Sequence, residues 1–226
     1  MIDQILIGDK ASFDDFNASV AGRFIGLPKK KSIKATVPFS NVTHDFSAIN
    51  GELYWEDREL EYVFEIMADD PEELEELKSK FAAWVMNTQG ANLHDPHIPD
   101  YHFQATYDDM KVDDDEGMDK TTLTVTFTAY PFKIANEPKV YEKNLGSKGY
   151  VAFYMINESD HPVALTFVSG SAFTAYVGGN GDNKISFPAG GTWISGAYKI
   201  PPGEKVASLE GAVDDDIKVI FYEEVF

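Results

Sequence analysis

The sequence predicts a mainly β protein in two parts: an α+β first half, with one packing helix laid on β-sheets, and a β-sandwich second half. Three observations carry this. A well-capped amphipathic helix from Asp70 to Val85 stands among runs that alternate apolar and polar residues. From Val140 onward the text breaks into short strand-like runs separated by Gly- and Pro-rich turns, with almost no helical period. The 226 residues are also enough for two domains that each bury a core.

In chain order, Ile5-Leu6-Ile7 is a short apolar run ended by the turn-like Gly8-Asp9-Lys10. Ala21 to Lys31 holds Gly22, Gly26, Pro28 and three lysines with little periodicity, and reads as an extended connector. Ile33, Ala35 and Val37 alternate with Lys34 and Thr36, so Ser32 to Val37 is a predicted strand ended by Pro38. Leu53 to Met67 reads as a hairpin that turns at Glu56-Asp57-Arg58, with Leu60, Tyr62, Phe64 and Ile66 on one face of its second strand.

The helix follows. Asp70 is placed to accept hydrogen bonds from the first-turn N–H groups, Pro71 sits where its missing N–H costs nothing, and Glu73 completes a capping box. Leu74, Leu77, Phe81, Trp84 and Val85 fall on one stripe, as a helix packed along one side requires, and Gly90 marks the chain beyond its end. Leu93 to His102 reads as a proline-bearing loop that returns the chain to the sheet. Tyr101, Phe103, Ala105 and Tyr107 then define a strand, and Asp108 to Gly117 a turn region. From Lys120, Leu123, Val125, Phe127 and Ala129 occupy one strand face and Thr122, Thr124, Thr126 and Thr128 the other.

The first domain is expected over residues 1–135 and closes near Pro131-Phe132; Ile134 to Pro138 reads as a linker, and the second domain spans residues 139–226. Its strand candidates are Tyr150–Ile156, Val163–Val168, Phe173–Val177, Lys184–Phe187, Thr192–Ile194, Lys205–Leu209 and Ile217–Tyr222. Gly178-Gly179-Asn180-Gly181 and Pro201-Pro202-Gly203-Glu204 supply turns.

Composition narrows the function. With no cysteine, disulfides, thiolate catalysis and Cys-based zinc sites are excluded. No apolar run reaches the length of a membrane span and Met1-Ile2-Asp3-Gln4 lacks the marks of a signal peptide, so a soluble chain without membrane insertion is expected. From Lys139 onward seven lysines face eleven acidic residues, which leaves net −4 there and −15 in residues 1–138 of the total −19. Specific nucleic-acid binding is not expected of so acidic a first half. Two charge runs are candidate interface or channel residues: Lys29, Lys30 and Lys31, and the acidic Asp113, Asp114, Asp115 and Glu116, each otherwise read as solvated. Asp113 to Glu116 are consecutive and do not match an EF-hand, and the spacing of His94, His97 and His102 matches no zinc motif; no metal and no cofactor is expected.

Several short stretches then combine. Gly26-Leu27-Pro28, Asn50-Gly51-Glu52, Trp55-Glu56-Asp57-Arg58-Glu59-Leu60, Phe64-Glu65-Ile66 running into Asp69-Asp70-Pro71-Glu72-Glu73, the Phe81 to Val85 helix end, the Asp95 to Tyr101 loop and Tyr130-Pro131-Phe132 occur in one order over more than half the chain. Together the first half resembles the distal tail protein (Dit) family of long non-contractile-tailed phages that infect Gram-positive bacteria. The second half resembles that family's galectin-like C-terminal domain through Ile200-Pro201-Pro202-Gly203-Glu204 and Val219-Ile220-Phe221-Tyr222-Glu223-Glu224. The resemblance implies a tail-tube-like N-terminal domain that forms a homo-hexameric ring and a C-terminal domain that projects outward. It also implies a virion baseplate component at the tail tip, assembled in the host cytoplasm. Such a ring joins the tail tube protein to the tail-associated lysin or hub and, in some phages, to receptor-binding proteins for host adhesion. DNA passes through its centre.

Two other functions were weighed. A carbohydrate-binding module that recognises host cell-wall glycans would use Trp193, Tyr176 and Tyr198 as stacking rings. Galectin sugar sites use His, Arg and Glu around a Trp, and the second domain has no Arg and only His161. An enzyme is not expected, because no nucleophile elbow, phosphate loop or HExxH is present.

Overall fold

The chain divides at Lys133/Ile134: residues 1–133 with Phe226 make one unit and residues 134–225 the other. The computed structural model describes residues 3–36, 39, 41, 43–48, 53–114, 120–178 and 184–226. Strand is the commonest state in the first unit and most of the second.

The first unit contains β1 (Leu6–Ile7), β2 (Lys10–Ala11), α1 (Ser12–Phe16), β3 (Ala18–Ile25), β4 (Lys34–Thr36), β5 (Thr43–Asp45), β6 (Arg58–Met67), α2 (Pro71–Met86), β7 (Ala91–His94), β8 (Tyr101–Asp114) and β9 (Lys120–Ala129). The sheet path is β2-β1-β7-β8-β9-β6-β3. Its core face follows the period of two: Leu60, Tyr62, Phe64 and Ile66 of β6 and Leu123, Val125 and Phe127 of β9 are all fully buried. Leu74, Phe81 and Val85 of α2 close that face, with Leu77 and Trp84 partly buried beside them. Phe81 meets Phe64 edge-on at 4.9 Å between centroids, and Trp84 stacks on Phe16 at 4.8 Å.

The helix start follows its chemistry. Glu73 N–H donates to the Asp70 carboxylate at 2.9 Å and Pro71 opens the first turn. The Glu73 carboxylate accepts from Asp69 N–H at 3.1 Å, one residue upstream of the N-cap, a shifted version of the expected capping box.

Five readings of the first half are corrected. The connector predicted from Ala21 is strand as far as Ile25, the end of β3; a register shift between Val20 and Gly22 breaks the alternation that would have shown it. Five-residue α1 falls where no helix was expected. Leu53 to Met67 is not a hairpin. Trp55 bridges Lys30 and Lys31 N–H donates to Tyr54 C=O at 2.8 Å, while β6 pairs with β3 and β9. The region Asp108 to Asp114 is strand rather than turn, the outer half of β8, kinked by a register shift between Tyr107 and Asp109. Leu93 belongs to β7 rather than to a loop, and β7 pairs with β8 through Leu93 opposite Phe103.

In β4 the strand predicted at Ser32 to Val37 is present over Lys34–Thr36, with Val37 and Pro38 outside the described residues. It pairs with β5 in a two-stranded ribbon separate from the main sheet.

β10 (Lys133–Ala135) runs across the division, where a linker was expected from Ile134, and the second unit continues with β11 (Lys139–Asn144), β12 (Tyr150–Asn157), β13 (Val163–Ser169), β14 (Phe173–Val177), β15 (Ile185–Phe187), β16 (Gly191–Ile200), β17 (Gly203–Gly211), β18 (Asp216–Phe221) and β19 (Glu224–Val225). Two four-stranded antiparallel sheets, β11-β18-β13-β16 and β12-β17-β14-β15, enclose one core built from Leu165, Phe167, Phe173, Ala175, Leu209 and Val219 among others. This is the expected β-sandwich.

Candidate interface surfaces

The face of the first sheet away from α2 is polar. Register places Phe24 of β3, Glu61 of β6, Thr126 of β9 and Asp109 of β8 in one row across four strands. The next rows hold Ser19, Glu65, Thr122 and Asp113, and between them Gly22, Val63, Thr124 and Lys111. The threonines expected on this side of β9 are there, half-buried or exposed. Lys120 bridges Glu65 at 2.7 Å; Glu59, Glu61, Asp109 and Asp113 form no ion pair among the described residues. The surface is acidic, with Phe24 standing 57% exposed within it.

The acidic run does not act as one cluster. Consecutive strand residues point to opposite faces, so Asp113, opposite Thr122, lies on this polar face and Asp114, opposite Thr121, turns toward α2. There its carboxylate accepts from Thr121 Oγ1 at 2.7 Å and from Lys78 Nζ at 3.3 Å, and these two partners hold its pKa below the ordinary aspartate value. Asp115 and Glu116 lie outside the described residues. Lys29, Lys30 and Lys31 are exposed in a segment braced by Leu53–Trp55: Glu56 N–H donates to Lys29 C=O at 2.7 Å.

Buried polar groups elsewhere are structural partners. Arg58, 2% exposed, donates from Nε to Pro131 C=O at 2.7 Å and also from Nη2, with its guanidinium 5.5 Å from the Phe103 ring; burial draws its pKa down to about 10. Arg58 and Pro131 lie 73 residues apart, and nothing local in the sequence joins them. Gly26 has a steric reason: its N–H donates to Glu59 C=O at 2.9 Å, and a Cβ there would stand 2.8 Å from that oxygen. Asp95, also buried, accepts from Tyr62 Oη at 3.1 Å and lies 3.4 Å from Arg23 Nε; desolvation and this carboxylate raise the Tyr62 pKa. His94 and His102 face each other across β7 and β8 with tilted rings 5.2 Å apart, and burial followed by the His102 charge lowers the His94 pKa. No group of three or more metal-ligating side chains occurs among the described residues.

The three rings expected to stack on a glycan do not converge. Tyr198 is 1% exposed: its Oη accepts from Val177 N–H at 2.7 Å and donates to Ala175 C=O at 3.0 Å, and burial, against the opposing pull of the Val177 bond, raises its pKa to about 12. This corrects its assignment as an exposed platform. Trp193 pairs with the buried Phe167 in the β13/β16 register and so faces the sandwich interior, where its Nε1 has no hydrogen-bond partner among the described residues. Tyr176 alternates with buried Ala175 and Val177 and is half-exposed on the outer face of the other sheet.

No family model matches the chain, and no curated protein does. Among solved structures, it matches the crystal structure of SPP1 Dit (gp 19.1), described as a paradigm of the hub adsorption apparatus in phages that infect Gram-positive bacteria. The TM-score is 0.70 at 11% sequence identity, over 100% of both chains. The chain has the Dit fold along its whole length, so the resemblance read from the sequence holds at the level of fold.

Proposed function

We propose that this chain is a structural, non-enzymatic component of a phage tail tip. In this reading copies form a ring, a homo-hexamer by the family resemblance. The ring connects the tail tube to the tail-associated lysin or hub and the receptor-binding apparatus, leaving a central passage for DNA. The full-length match to the SPP1 Dit fold carries the reading. Fold alone does not set function, and the charge distribution adds support: a net −15 over residues 1–138 suits the wall of a passage from which DNA must slip, since phosphates are held by clustered cations. Lys29, Lys30 and Lys31 are assigned to the contact between copies; Asp113, with Asp115 and Glu116, is assigned to the passage or to that same contact.

Negative-stain images of the purified full chain test this. Rings with a central hole are the expected result, formed by the chain alone or after addition of tail tube protein. Isolated particles of single-chain size under both conditions contradict it.

A further inference from the structure

A sheet edge presents unpaired backbone groups, and the sandwich has four edge strands among the described residues: β11 and β16 in one sheet, β12 and β15 in the other. Three of them are blunted. β11 carries Lys139, Glu142 and Lys143, β15 is 3 residues long, and the pairing of β16 with β13 slips between Ala164 and Leu165. β12 has none of these devices. It runs 8 residues, Tyr150–Asn157, without a charge or a proline and in unbroken register with β17.

The hydrogen-bond pattern fixes which groups β12 leaves open. Gly211 N–H donates to Gly149 C=O at 2.9 Å, so the odd-numbered residues of β12 bond to β17 and the even-numbered ones turn their N–H and C=O to the free side. The outer two of these donors are used within the chain: Tyr150 N–H donates to Leu145 C=O at 3.0 Å and Ile156 N–H to Tyr141 Oη at 3.1 Å. Between them, Ala152 and Tyr154 each keep a free donor and a free acceptor among the described residues.

The side chains around this gap define what fits it. On the outer face Tyr150, Tyr154 (64% exposed) and Ile156 stand out from β12, beside the exposed Val206 that pairs with Tyr154. On the other face, Lys143 of the neighbouring edge strand β11 holds its Nζ 5.0 Å from the centre of the Phe153 ring, with no carboxylate in ion-pair distance among the described residues.

We propose that β12 receives an extended segment of a partner protein as an added strand of the β12-β17-β14-β15 sheet. Backbone bonds to Ala152 and Tyr154 hold the segment, and its alternate side chains give selectivity. Those on its outer face are apolar and cover Tyr150, Tyr154 and Ile156; one on its inner face carries a carboxylate for Lys143. A second copy of β12 is the poorer occupant. Antiparallel pairing centred on Phe153 brings two Lys143 ammonium groups together, and β12 has no carboxylate to offer them. The site lies wholly in the second unit and is present whether or not copies form a ring.

The probe is a library of random displayed peptides selected on the immobilised full chain. Peptides that alternate apolar residues and carry Asp or Glu are expected to be enriched. Synthetic copies are then titrated by fluorescence anisotropy into wild type, Ala152→Pro, Tyr154→Lys and Lys143→Glu, each checked for folding by circular dichroism. Ala152→Pro removes a donor at an edge position that gives no bond to β17, where proline is tolerated, and Tyr154→Lys changes only an exposed side chain. Each of these two should weaken binding about tenfold or more, the worth of one hydrogen bond. Lys143→Glu should weaken only the acidic peptides. Bound peptide should also slow hydrogen exchange at the N–H groups of Ala152 and Tyr154 in wild type. No enrichment over a chain-free surface, or binding that Ala152→Pro and Tyr154→Lys leave unchanged, overturns the proposal. So does wild-type self-association that Tyr154→Lys abolishes, which would assign β12 to a second copy. Absence of rings in the assembly test leaves the strand-addition site standing.

Discussion

The two faces of the sheet formed by β6 and β9 share one backbone and do opposite work. On one face Leu60, Tyr62, Phe64, Leu123, Val125 and Phe127 are sealed under α2. On the other, Glu59, Glu61, Val63, Thr124 and Thr126 face away from that core. An antiparallel sheet permits this division because alternate side chains leave opposite sides of the pleat. The core face sets the fold and the bare face is free to set partners. Asp113 and Asp114 show how local the division is: one residue apart, the first lies on the bare polar face and the second on the helix side.

Substitutions that cross this division should separate stability from assembly. The largest effect is expected at Phe81→Ala, which removes a fully buried ring packed on Phe16, Phe64 and Trp84; about 3–5 kcal/mol of unfolding free energy should be lost in urea titration, and assembly with it. Trp84→Ala, at a half-buried position on the same helix, should lose less stability in the same titration and weaken assembly through the fold.

The sandwich supplies a second buried phenol to set beside Tyr62 of the first unit. Tyr198→Phe strips two buried backbone groups of a partner and should cost about 1–3 kcal/mol. Because the phenol pKa is raised from 10 to about 12 in the folded chain, its contribution is complete below pH 10 and is lost as pH rises toward 12. Alkaline unfolding followed by circular dichroism should show wild type losing stability across that window and the Phe variant losing less.

Two smaller effects sharpen the contrast on β8. Asp114→Asn removes the charge that holds Lys78 and should cost about 0.5 kcal/mol or less, as expected of a largely exposed pair. With its pKa lowered in the fold, that contribution is present above pH 3.8 and fades as pH falls through the folded value. Asp113→Ala should leave thermal unfolding unchanged and show its effect only in self-association.

Sequence reading recovered the elements whose chemistry is local. The period of two in β6 and β9, the cap at Asp70 and the stripe from Leu74 to Val85 all report burial on one side, and the fold uses each as written. The strand runs of the second half were legible for the same reason, Phe173–Val177 to the residue. What it missed depends on partners distant in the chain. β3 is broken by a register shift, β11 alternates half-buried with exposed residues and carries no strong apolar face, and the pairing of Lys29–Lys31 with Tyr54–Trp55 has no local signature. The candidate charges were visible as runs, but only register divides Asp113 from Asp114. Tyr198 and Trp193 fitted both a buried core and stacking rings because composition does not say which side of a strand meets the core; their paired neighbours do.

The most direct measurement of the central claim is the mass of the wild-type full chain in solution at micromolar concentration and low salt. The account predicts a closed homo-oligomer several times the 25.2 kDa of one chain, near sixfold by the family resemblance, which dissociates on Lys29→Glu/Lys30→Glu/Lys31→Glu without loss of the folded state. A mass of 25.2 kDa at every concentration, with and without tail tube protein, would contradict it.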